Sequence, residues 1–163
     1  MKGKRKVGWI GGIVLGIAVV LILALIWVPM AVHKQHMKER IEAVTSADVA
    51  LFAIGDPLYN TGDPLGNAGK EVALSEEEAQ ELRLLLGEIQ ETGYRTGEEK
   101  KQMGGAWDAY IKVRTATGET QYIWFTETVF YYMDGKVAVC FEPTDAEAYD
   151  MLYQKIQTML RMK

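Results

Sequence analysis

Apolar positions run unbroken from Val7 to Val32, and beyond them the chain changes rhythm several times. The first stretch, VGWIGGIVLGIAVVLILALIWVPMAV, holds 26 residues and no charge. About 20 apolar residues in a helix are enough to cross the hydrocarbon core of a bilayer. The pattern therefore predicts a transmembrane signal-anchor helix over 7–32. Trp9 and Trp27 stand near its ends, as interfacial anchors do. Eighteen residues of helix separate them, about 27 Å, against a hydrocarbon thickness of about 30 Å. Pro29 falls just past the second Trp, where a kink or helix end costs least. Gly8, Gly12 and Gly16 recur every four residues and share one helix face. That spacing lets membrane helices approach closely and offers a route to self-association. The bland alternative is that glycine is simply common in membrane helices. A cleaved secretory signal fits less well. Its apolar region would be far shorter, and a cut after Ala31 would place Pro29 three residues before the bond.

After the apolar run, residues 33–46 are polar with helical propensity and read as a juxtamembrane stalk. ADVALFAI (47–54) is a buried-type strand. Residues 55–71 repeat Gly-Asp-Pro-Leu at 55–58 and 62–65, which predicts two turns. A calcium loop through Asp56, Asn60 and Asp63 fails the EF-hand pattern, because Leu58 and Thr61 occupy the wrong positions. Ser75 and Glu78 form a capping box that opens a helix. Ala79, Leu82, Leu85, Leu86 and Ile89 supply its apolar face, and Thr92-Gly93 ends it. Residues 92–105 read as a polar, glycine-containing linker.

From 107 to 143 the period drops to two, the signature of strands. Thr117-Gly118 and Asp134-Gly135 mark hairpin turns. Taken as two-residue loops, they pair Ile111 with Trp124, Val113 with Tyr122, Val137 with Tyr132 and Val139 with Phe130. Opposed residues share a face, so even positions from 122 to 132 are expected in the core. Residues 120–133 form either one long strand or two strands broken at 126–128. Thr144 and Glu147 cap a final helix, with a stripe of Tyr149, Leu152, Tyr153, Ile156, Met159 and Leu160. The expected architecture is an α+β domain over 47–163. It has two layers, with a mainly antiparallel sheet of four or five strands and both helices on one face.

Charge sets the orientation. Lys2, Lys4, Arg5 and Lys6 precede the apolar run with no acid among them, whereas Lys34, Lys38 and Arg40 follow it beside Glu39 and Glu42. Basic flanks stay cytoplasmic, so residues 1–6 are a cytoplasmic tail and the domain is extracytoplasmic. All 22 acidic residues lie beyond residue 32, together with fourteen of the 18 basic ones. The outer part is thus net acidic by eight, which argues against nucleic-acid binding. A lone cysteine, Cys140, in a strand-like context reads as a buried, inert thiol. The domain has no disulfide pair and the chain has no glycosylation sequon, which suits a bacterial envelope.

Chemistry is sparse. The two histidines, His33 and His36, sit beside the membrane segment, and two ligands do not complete a transition-metal site. No spacing of Asp or Glu selects a catalytic pair, and no cofactor motif is present. No catalytic residue, metal or cofactor is therefore expected. The outward sheet face derived above carries Tyr110, Lys112, Ile123, Phe125, Val129, Tyr131 and Met133. Left open, such a face would be a contact patch. The competing reading is that a helix or the stalk covers it. The function expected from sequence is a non-enzymatic, membrane-anchored sensory or accessory module, with the bilayer and a membrane or envelope protein as partners. A carboxylate-dependent envelope hydrolase and a structural subunit assembled through the glycine stripe are the alternatives.

Overall fold

The computed structural model describes residues 4–45, 49–56, 70–101, 108–115, 118–134 and 137–162. The Gly-Asp-Pro-Leu turns fall largely outside these residues. In chain order the elements are α1 (Lys4–Thr45), β1 (Val49–Asp56), β2 (Lys70–Ala73), α2 (Glu76–Thr92) and β3 (Tyr94–Lys101), followed by β4 (Ala109–Thr115), β5 (Thr120–Phe125), β6 (Phe130–Asp134), β7 (Val137–Pro143) and α3 (Ala146–Met162). The chain divides into two compact units, Met1–Gln35 and His36–Lys163, and α1 contributes to both.

The first unit is helical, with backbone hydrogen bonds satisfied internally, as a lipid environment requires. It holds the one helix among the described residues that is long and apolar enough to cross a membrane. Its large apolar side chains between Ile13 and Val32 are 42–76 % exposed. Trp27 is among them, whereas the side chain of Trp9 lies outside the described residues.

The second unit is an α+β fold on an antiparallel sheet ordered β2-β1-β4-β5-β6-β7-β3. Seven strands replace the four or five expected. The two additions are the edge strands β2 and β3, drawn from segments that read as loop and linker. An edge strand has one paired side and a solvated one, so it needs no run of apolar side chains. β3, YRTGEEKK, shows no alternation, and its register against β7 shifts between Thr96 and Glu99.

One face of the sheet carries the main core: Phe52, Ile54, Ile111, Val113, Ile123, Phe125, Phe130, Tyr132, Val139 and Phe141. Three helical stripes close it. Leu82, Leu86 and Ile89 come from α2, and Tyr149, Leu152, Ile156 and Met159 from α3. The third stripe is Met37, Ile41 and Val44, from the last turns of α1, where a stalk was expected. Arg40 lies over the ring of Tyr132 at 4.9 Å, and His36 meets the same ring edge-on at 6.2 Å.

The caps follow their sequences with one change. Ser75 and Glu78 form the expected capping box, with Ser75 N–H donating to Glu78 Oε2 at 2.9 Å. At α3 the cap is Asp145 rather than Thr144. Its Oδ1 accepts from the amides of Glu147 and Ala148 at 3.0 and 3.1 Å. A carboxylate both bonds these amides and favours the helix dipole, so it outcompetes a hydroxyl.

The β4–β5 register corrects the expected one. Ile111 faces Ile123 and Val113 faces Gln121. The last paired residues, Arg114 and Thr120, are joined by five residues rather than a two-residue turn, and Gly118 takes φ +86°. A one-residue slip exchanges the faces of a strand. Ile123 and Phe125, expected outside, are therefore core residues at 0 % exposure. This register buries two wholly apolar side chains. The alternative would have placed the Tyr122 hydroxyl and the Trp124 indole N–H there. The β6–β7 register differs by two residues, pairing Tyr132 with Val139, so its faces stand as expected. Residues 120–134 are two strands, and the parity change occurs in the turn between Phe125 and Phe130.

Candidate functional site

The second face of the sheet bears a separate cluster built from Tyr110, Trp124, Tyr131, Ala138 and Cys140. Half-buried Tyr122, Val129 and Met133 pack against it. Of the seven residues expected to line a contact patch, Tyr110, Lys112, Val129, Tyr131 and Met133 lie on this face, and Ile123 and Phe125 do not. Tyr122 and Trp124 take their places. Sequence reasoning missed them through the register slip.

The cluster is ordered by aromatic contact. Tyr122 and Trp124 stack at 5.7 Å with 15° between their planes. Tyr110 meets Trp124 at 5.0 Å and Tyr122 at 5.8 Å. Tyr110, Trp124 and Tyr131 are only 2–3 % exposed. The face is thus a second, closed apolar layer rather than an open patch. Its accessible members are Lys112, Tyr122, Val129 and Met133, all half-buried. A polar edge adjoins it. Lys112 Nζ donates to both carboxylate oxygens of Glu71 on β2, at 2.8 and 2.9 Å, and Tyr110 Oη donates to Glu71 at 3.1 Å. Cys140 is buried and is not in a disulfide.

Gly55 explains how Tyr110 fits. The two residues are direct cross-strand partners on β1 and β4. A Cβ at position 55 would collide with the edge of the Tyr110 ring, at Cζ, Oη and Cε1. Glycine inside a strand marks this kind of close approach, and that was the one signal in the sequence for it. Gly55→Ala must expel the ring from the cluster and strain its tie to Glu71. Overpacking of this sort costs about 1–3 kcal/mol. Urea unfolding of the domain should show that loss, and Gly55→Ala paired with Tyr110→Ala should recover part of it.

Tyrosine also organises the turn between β5 and β6. Thr126 N–H donates to Val129 O at 2.9 Å, closing the turn. Tyr149 Oη, from α3, lies 2.9 Å from Thr126 O and 2.6 Å from Val129 O, so its single proton serves two carbonyls. Tyr153 Oη donates to Asp108 Oδ2 at 3.1 Å. Burial raises the titration of Tyr149 well above the ordinary tyrosine value. It pushes Tyr94 up to about 12, with the Glu42 charge adding to it, and Tyr131 up to about 12, helped by Cys140. Tyr153 also rises to about 12, through burial and then Asp108.

These shifts fix a pH dependence. An unfolded tyrosine ionises near 10, so above that pH the unfolded chain binds fewer protons than the folded one. Stability then falls with rising pH. The tyrosine contribution is complete below about 10 and is lost as pH climbs through about 12. Chemical denaturation from pH 9 to 11.5 should show this decline, accompanied by tyrosinate absorbance that rises with unfolding.

The helical layer contains one buried cation. Arg83 donates to Glu76 Oε1 at 2.7 Å and lies 5.6 Å from the Phe52 ring centre, while its Nε has no hydrogen-bond partner among the described residues. Glu76 is largely exposed, so this pair borders solvent and its attraction is screened. Lys155 and Glu81 tie α3 to α2 at 2.5 Å.

Among the described residues, no group of three or more His, Cys, Asp or Glu could hold a metal ion. Gly8 and Gly12 lie in α1, but their surroundings are outside the described residues. Gly16 has open space where a Cβ would stand. With this geometry in view, comparison with known proteins adds no kinship: no family model, curated protein or solved structure matches the chain.

Proposed function

We propose that this is a single-pass membrane protein with a cytoplasmic N-terminus and an extracytoplasmic α+β domain. The domain acts as a non-enzymatic binding or accessory module for a membrane or envelope partner. One observation carries the membrane reading. The apolar side chains of α1 from Ile13 to Val32 are exposed all round the helix. Water would penalise each large apolar side chain left uncovered by about 1.5–3 kcal/mol, and a bilayer removes that penalty. The four basic residues before the run and the acidic domain beyond it support the stated orientation. The accessible rim of the second sheet face, Lys112, Tyr122, Val129 and Met133, is the surface best suited to a contact.

Orientation is tested in a Cys140→Ala background carrying one new cysteine, at Lys2 or at exposed Gln80. A membrane-impermeant maleimide applied to intact cells is expected to label the Gln80→Cys chain and spare the Lys2→Cys chain. The opposite labelling would reverse the topology. Labelling of neither before lysis, and of both after it, would place the domain inside the cell. The accessory role is tested by affinity purification of the full-length chain from mild-detergent extract. A stoichiometric membrane or envelope partner that is lost on Met133→Asp, with the domain still folded by circular dichroism, supports it. Recovery of the chain alone counts against it.

A further inference from the structure

We draw no further inference here: the strongest candidate, the aromatic cluster of Tyr110, Tyr122, Trp124 and Tyr131 on the second sheet face, is an apolar layer for which nothing in the described residues shows what covers it.

Discussion

A soluble domain cut to begin at Ala47 is expected to be unfolded, whereas one beginning at Lys34 folds. The difference is the last turns of α1. Met37, Ile41 and Val44 are buried to within 1 % and belong to the same apolar core as α2 and α3. Removing one large core side chain costs about 2–5 kcal/mol, and a domain of this size has about 5–15 kcal/mol in total. Loss of all three consumes most of that margin. The Tyr132 ring would also lose Arg40 and His36 from its surroundings. Circular dichroism and proton spectra of the two fragments decide the matter. Ile41→Asp in the longer fragment should reproduce the defect, because it places an unpaired charge where there is no water. Cooperative melting of the shorter fragment would show that residues 36–45 are dispensable.

Phe125→Asp is expected to unfold the domain outright, by more than about 4 kcal/mol. Phe125 is fully buried on β5, paired with Ala109 on one side and Phe130 on the other. Its carboxylate replacement would have no solvent and no partner. Met133→Asp, on the opposite face and half-buried, should leave a folded protein with a reduced melting temperature. The contrast matters more than either value. If the β4–β5 register were one residue different, Phe125 would share the second face with Met133, and the large difference between the two variants would disappear.

That contrast also shows where the sequence could be read and where it could not. The helices were legible, because an apolar stripe at helical spacing and a capping box are local signals. Ser75 with Glu78, and the stripe from Tyr149 to Leu160, needed no knowledge of the rest of the fold. The faces of β6 and β7 were legible too, since an error of two residues in pairing leaves every side chain on its own side. The face of β5 was not. Its run TQYIWF is apolar or aromatic at consecutive positions, so alternation does not identify the inner side. Only the length of the connection from Arg114 to Thr120 does so. A two-residue turn was the natural reading of Thr-Gly, and it misplaced Ile123 and Phe125 together. The edge strands were illegible for a different reason. β3 is recruited by the backbone of β7, and nothing in Glu98-Glu99-Lys100-Lys101 advertises a strand. The core role of α1 was hidden by its setting, because three large apolar residues, Met37, Ile41 and Val44, among HKQHMKERIEAVT are too few to stand out beside the long apolar run before them.

The order of strands has a consequence for how the chain is made. β3 emerges from the ribosome before β4, β5, β6 and β7, yet its one neighbour in the sheet is β7. Until synthesis reaches Pro143 it has no backbone to bond, and the last helical stripe of the core, α3, follows later still. The sheet therefore stays open at its β3 side until β7 has been made, and the α3 stripe joins the core only after that.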